Sequence, residues 1–279
     1  MKVNQLNAPI SKLGEGIYLD NKQCSLYWLD IIESTIYQYD IERDFLIKTY
    51  HVGNNPSCIL SVDNDRLVYL DNVGVKEINI FNDTITLIKK HDQHCPLECR
   101  ANDGVLLSNN SIIYGTMNYN PHLSAGNIYI LNESRELFTY NLGINIPNTF
   151  IELEDSILVS DSLSKCIYKF TLQGKNEDKL TLWKSFSKEA YTPDGGCLSD
   201  KGYIHVALWD GAAVLVMNKN GEEVKKIEIP VLRPTNCVIY KNRWLYITSA
   251  SEDMTNKQLE LYPWSGKTLV VDLGENYEF

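Results

Sequence analysis

The fold turns on the reading of one stretch, Tyr191-Thr-Pro-Asp-Gly-Gly-Cys-Leu-Ser-Asp-Lys-Gly-Tyr-Ile-His-Val-Ala-Leu-Trp-Asp-Gly211. Pro193-Asp194-Gly195-Gly196 sets a carboxylate where two glycines let the backbone come close to another group. Ser199-Asp200-Lys201-Gly202 reads as a hairpin turn. Tyr203 to Trp209 is then a run of β-branched and aromatic residues, a buried strand. Strand, turn, strand is the implied unit.

The same pattern returns along the chain. Comparable runs begin at Leu26 (Leu-Tyr-Trp-Leu-Asp), Leu67 (Leu-Val-Tyr-Leu-Asp), Ile112 (Ile-Ile-Tyr-Gly-Thr), Ile157 (Ile-Leu-Val-Ser-Asp), Ile204 (Ile-His-Val-Ala-Leu) and Leu245 (Leu-Tyr-Ile-Thr-Ser). Successive offsets are 41, 45, 45, 47 and 41 residues. Helical periodicity is almost absent, and Asn, Asp, Gly and Ser turns separate short β-prone runs. A repeat of this length with four short strands is a propeller blade, and six repeats predict an all-β six-bladed β-propeller. A β-sandwich with irregular extensions is the alternative. No linker or composition shift divides the chain, so residues 1–279 are expected to form one domain. An open ring would expose sheet edges, so either Val3–Ile10 or Thr268–Leu273 is expected to complete the last blade.

Composition narrows the function classes. Hydrophobic content of 44% and charged content of 22% are ordinary for a soluble globular protein. A formal net charge of −10 with no basic cluster argues against nucleic acid and anionic membranes as partners. The N-terminus starts no apolar signal region, and no run approaches the roughly 18 apolar residues of a membrane span. A cytoplasmic protein is expected. Its seven scattered cysteines, Cys24, Cys58, Cys95, Cys99, Cys166, Cys197 and Cys237, read as reduced thiols rather than a disulfide framework. His91, His94, Cys95 and Cys99 cluster, but structural zinc sites usually pair two such ligand sets, so a polar connection before a strand is preferred to zinc.

In a propeller the first strand of each blade lies nearest the axis. Stepping back nine to eleven residues from each repeat start gives Glu15, Ser57, Asn102, Asn148, Asp194 and Asn236, all polar. These side chains are expected to face one central channel; the plainer reading is that they mark the turn before each strand. Glu15 and Asp194 sit beside glycines, and buried charges need partners or a metal. Two carboxylates with several amide oxygens form a hard donor set, suited to Ca²⁺, Mg²⁺ or Mn²⁺. Arg100-Ala101-Asn102-Asp103-Gly104 adds a planar cation, a natural clamp for an oxygen-rich substrate.

At these residues the chain resembles the senescence-marker-protein (regucalcin) and gluconolactonase family of six-bladed propellers, from Leu13 to about Ser249. Leu13-Gly14-Glu15-Gly16 with Leu26-Tyr27-Trp28-Leu29-Asp30-Ile31 is similar to the family's opening blade, and Arg100 to Gly104 with Tyr114-Gly115-Thr116-Met117 to its third. Pro147-Asn148 with Ser160-Asp161-Ser162 resembles the fourth, Pro193-Asp194-Gly195 with Val206-Ala207-Leu208-Trp209 the fifth, and Arg233-Pro234-Thr235-Asn236-Cys237 the sixth.

The resemblance implies a divalent cation held in the channel by Glu15, Asn148 and Asp194, Ca²⁺ first, with Mg²⁺, Mn²⁺ or Zn²⁺ as alternatives. It implies substrate contacts from Arg100, Asn102 and Asn120, and a catalytic role for Asp194. The implied activity is metal-dependent hydrolysis of a small-molecule sugar lactone. Two alternatives stand beside it: a non-catalytic Ca²⁺-binding propeller, and hydrolysis of another ester or phosphoester at the same site. Ile17-Tyr18-Leu19 departs from the family's first strand, and Asn118, Tyr119 and Asn120 stand where some members carry acidic residues. His122 to Gly126 is read as a loop over the channel mouth or as an ordinary connection.

Overall fold

The computed structural model of the protein describes residues 1–91, 98–171 and 179–279. Their strands form six sheets of four strands each, the architecture of a six-bladed β-propeller. Every repeat start found in the sequence lies in the second strand of a blade: Ser25–Asp30, Arg66–Leu70, Ile112–Asn118, Ile157–Asp161, Ile204–Trp209 and Trp244–Ala250. These strands read as continuous apolar runs because they are buried on both faces; Leu26, Trp28, Ile113, Leu158, Val206 and Ile247 are fully enclosed.

The aspartates that close several of these runs have a structural task. Asp30 accepts the backbone N–H groups of Lys12, Leu13, Ile32 and Glu33, and Asp161 those of Ile146 and Leu163. Asp71 does the same for Val73 and Gly74 and pairs with Lys76 at 2.6 Å. A buried carboxylate with that many partners organises the turn after the second strand and, in blades one and four, the approach to the first.

Five blades run in chain order from first to fourth strand. The sixth instead takes Arg233–Tyr240, Trp244–Ala250, Leu269–Asp272 and, outermost, the N-terminal strand Lys2–Gln5. Lys2 lies opposite Asp272 and Gln5 opposite Leu269 in an antiparallel pair. Both terminal segments, not one of them, therefore complete the last blade, since its own sequence supplies only three strands. Between Ala250 and Leu269 the chain also makes the helix Asn256–Leu261, which the strand pattern does not foretell. A capping box started by Thr255 and Gln258 supports this short element, and none of its residues is buried.

The chain divides into two compact units, Met1–Ile59 with Asp194–Phe279, and Leu60–Pro193. The first holds blades one, five and six. It has two cores, one around Val214, Ile227, Leu245 and Ile247, the other around Trp28, Tyr39, Tyr240 and Tyr246. The second unit holds blades two, three and four, with Ile113, Ile128, Phe150, Val159 and Phe170 at the centre of a core. Among the described residues no helix is long and apolar enough to cross a membrane.

Candidate functional site

Five of the six polar positions lie on the first strands of their blades: Glu15 on Gly14–Asp20, Asn102 on Cys99–Leu106, Asn148 on Pro147–Glu152, Asp194 on Thr192–Leu198 and Asn236 on Arg233–Tyr240. Ser57 immediately precedes the sixth, Cys58–Asp63. Glu15 is half-buried, and the other five are no more than 9% exposed. Four of these strands carry an irregularity at the polar residue: between Glu15 and Tyr18, Ala101 and Gly104, Asn148 and Ile151, and Pro234 and Asn236. A bulge breaks the two-residue alternation and re-aims a side chain, which is its common use beside active sites.

In the second unit the side chains form a directed chain. Arg100 donates from a terminal guanidinium nitrogen to Asn102 Oδ1 at 2.7 Å and to the Ala101 carbonyl at 3.1 Å. Asn102 Nδ2 donates to the Pro147 carbonyl and to Asn148 Oδ1, both at 2.9 Å. Asn148 Nδ2 donates to Ser162 Oγ at 3.0 Å, and the Ser162 hydroxyl donates to the Pro193 carbonyl at 2.7 Å. The order admits one sense only. A hydroxyl committed to a carbonyl must accept from its other neighbour, so Asn148 turns its nitrogen to Ser162 and its oxygen the other way. Both N–H bonds of Asn102 are engaged within the protein, one by the Pro147 carbonyl and one by Asn148 Oδ1. Ser162 completes the chain, although as a motif residue it carried no role of its own. Its signal was its place just after the second strand of the same blade.

Thr149, directly after Asn148, has φ 54° and is fully buried. A β-branched residue in the left-handed region is a true outlier, held there by its surroundings. In the first unit the residue after Glu15 is Gly16, at φ +56°. Glycine meets that conformation without strain, and a Cβ on Gly16 would stand 3.0 Å from both the Cys58 Cα and a Leu29 methyl. The Gly16 N–H donates to Glu15 Oε2 at 3.2 Å. Asp194 is followed by Gly195, where a Cβ would come within 2.3 Å of the Asn236 side chain. Asn236 Oδ1 in turn accepts the Cys237 N–H at 2.8 Å. Ser57 Oγ is buried and has no hydrogen-bond partner among the described residues.

These donors fit a hard cation in kind. Among the described residues no three histidine, cysteine or carboxylate side chains gather as a metal-ligating group. Within the second unit, Asn148 Oδ1 accepts from Asn102 Nδ2 while Asn148 Nδ2 is held by Ser162.

Other expected residues stand apart from this chain. Asn120 is exposed, in a turn where its N–H donates to Asn118 Oδ1 at 2.7 Å. Asn118 also donates to Ser124 Oγ at 3.0 Å, and the Pro121 carbonyl accepts from Asn145 Nδ2 at 2.7 Å. His122 to Gly126 thus belongs to the connection between the second and third strands of blade three, with Tyr119 and Leu123 projecting into solvent. Of the residues weighed for zinc, His94 and Cys95 lie outside the described residues. His91 is buried with both ring nitrogens engaged, Nδ1 by Tyr114 Oη at 3.1 Å and Nε2 by the Asp71 carbonyl at 2.9 Å. Burial pushes its pKa below the usual histidine value. It is a neutral structural histidine.

A family model described as "SMP-30/Gluconolactonase/LRE-like region" matches residues 13–251. The chain belongs to this family. Among SMP-30/gluconolactonase relatives, regucalcin of Gallus gallus is 24% identical over 95% of this chain and 92% of its own. Pentonolactonase XacC of Haloferax volcanii is 22% identical over 91% of this chain and 87% of its own. A solved structure described as a calcium-binding protein, regucalcin, from Agrobacterium tumefaciens superposes with a TM-score of 0.88 at 20% identity, covering 96% of this chain and 92% of that one. At that identity the likeness establishes the fold alone.

Proposed function

We propose that the protein is a divalent-metal-dependent hydrolase that opens sugar lactones, with Glu15, Asn148 and Asp194 as the cation's protein ligands. The observation that carries this reading is the chain Arg100–Asn102–Asn148–Ser162, which orients one amide oxygen at a bulge whose next residue is strained. Membership of a family with lactonase relatives supports the substrate class.

A bound cation would supply Lewis-acid polarisation of the lactone carbonyl. Glu15 and Asp194 bring the two negative charges, and Asn148 a neutral oxygen already turned to accept. Asp194 also orients the attacking water by accepting a hydrogen bond from it. A carboxylate that shares its electrons with a cation is a weak base, so this role is chiefly orientation. Arg100, a planar cation, holds the lactone ring for attack through the lactone's oxygens. Asn102 and Ser162 act through Asn148, keeping its oxygen in place.

The test separates ligand from substrate groups. Asp194→Ala should abolish both cation binding, read by calorimetry, and lactone opening, read by proton release. Arg100→Ala should keep cation affinity within about tenfold while lactone opening falls by more than about tenfold, some 1.4 kcal/mol of transition-state stabilisation. Wild-type protein that binds Ca²⁺ but opens no lactone with Ca²⁺, Mg²⁺, Mn²⁺ or Zn²⁺ would instead be a non-catalytic ion binder. Turnover of aryl esters or phosphotriesters without lactones would move the reaction to another ester class.

A further inference from the structure

In the first unit two thiols face each other. Cys197 Sγ and Cys237 Sγ are 4.0 Å apart, forty residues distant in sequence, on the first strands of blades five and six. Glycines make the approach possible. A Cβ on Gly195 would fall 2.3 Å from the Asn236 side chain, and one on Gly196 2.2 Å from the His205 carbonyl oxygen. We propose that Cys197 and Cys237 form an oxidative modification site, which a hydroperoxide closes to an intramolecular disulfide.

The two sulfurs have different roles. Cys197 is half-buried and is the one an oxidant reaches, whereas Cys237 is fully enclosed. Cys237 Sγ lies 3.7 Å from the His205 carbonyl oxygen, a weak thiol hydrogen bond. Cys237 Sγ also touches Cys197 Sγ, and in that contact either thiol can be the donor. The contact with Cys197 and deep burial hold the Cys237 thiol well above the ordinary range, so it waits as a protonated resolving thiol.

The chemistry balances without any group from the protein's other activity. Cys197 sulfur attacks the hydroperoxide's O–O bond, giving Cys197 sulfenic acid and releasing an alcohol, or water from hydrogen peroxide. Cys237 sulfur then attacks the sulfenic sulfur, the S–O bond breaks, and the departing hydroxide leaves as water with the Cys237 proton. Two electrons and both thiol hydrogens pass from the cysteine pair to the peroxide. The sulfurs must close from 4.0 Å to a bond of about 2.0 Å, through small movements of both side chains. The bridge would tie together the strands carrying Asp194 and Asn236, three residues and one residue before the respective cysteines.

The site is tested on the whole, fully reduced protein, treated with hydrogen peroxide, alkylated and mapped by peptide mass spectrometry. The expected product has lost two hydrogens, about 2 Da, carries a Cys197–Cys237 cross-linked peptide, and returns to the thiols with dithiothreitol. Cys197→Ser should form no bridge and leave Cys237 reduced. Cys237→Ala, which keeps the buried volume nearly unchanged, should accumulate a Cys197 sulfenic acid that dimedone traps. The proposal is overturned if wild-type Cys197 proceeds to sulfinic acid beside an unreacted Cys237, if neither thiol reacts, or if the bridge joins other cysteines. These readouts do not depend on turnover, so a failed lactone assay leaves them intact.

Discussion

The two compact units meet one backbone demand with different residues. In blade one the bulge after Glu15 is made by Gly16 at φ +56°; in blade four the bulge after Asn148 is made by Thr149 at φ 54°. Glycine adopts that conformation freely, whereas threonine does so against its own preference. The shared feature is the turn of the chain behind a polar side chain, not the residue that makes it. A second difference concerns charge. The first unit carries the carboxylates Glu15 and Asp194, and the second carries a relay of amides ordered from the Arg100 cation to the Pro193 carbonyl. Negative charge suits a cation, while an ordered amide relay suits orientation.

Each unit also buries a histidine between a tyrosine hydroxyl and a backbone carbonyl. His205 Nε2 meets Tyr277 Oη at 2.7 Å and Nδ1 the Tyr203 carbonyl at 3.3 Å, matching His91 with its own tyrosine and carbonyl. The largest effect expected on stability comes from this pair. Burial lowers the pKa of His205 from 6.5 to about 4. The folded form therefore holds the ring neutral while the unfolded chain takes up a proton below pH 6.5. Stability is complete above that pH and falls as the pH drops towards 4, by about 3 kcal/mol from this one group. Denaturant unfolding from pH 7 to 4 should show this slope, and His205→Gln should reduce it by one proton. An unchanged slope would place the titration elsewhere.

Making the second unit imitate the first should do harm of intermediate size. Asn148→Asp adds a carboxylate at the bulge, but an aspartate cannot donate to Ser162 Oγ, whose proton is held by the Pro193 carbonyl. Two acceptors would then face each other, costing about 1–3 kcal/mol in urea unfolding. Lactone opening should fall as well, despite the added charge. Full activity in this variant would show that the relay is dispensable.

The smallest effects test the bulges themselves. Gly16→Ala should lose about 1 kcal/mol or more, because φ is positive and its neighbours are tight. At Thr149 both Ala and Gly discard the same buried contacts, yet only Gly also removes the strain. Thr149→Gly should therefore be the more stable of the two by about 1 kcal/mol. Equal stabilities would mean that the threonine sits there at no cost.

Much of this protein can be read from its chain because a blade is local chemistry repeated. Leu-Tyr-Trp-Leu-Asp and its five counterparts announce the buried second strand of each blade, and some of their closing aspartates organise the turn that follows. Counting back from these runs finds Glu15, Asn102, Asn148, Asp194 and Asn236 on their first strands, since a short hairpin allows little variation in spacing. Tertiary structure decided the rest. The partners of the two Asn102 N–H bonds, Pro147 and Asn148, lie forty-five and forty-six residues away. Ser162 gains its role from a carbonyl thirty-one residues on, and Cys197 meets Cys237 only when neighbouring blades pack. Strand identity follows from periodicity within a few residues. The orientation of an amide, the strain at Thr149 and the approach of two sulfurs depend on partners that no local pattern specifies.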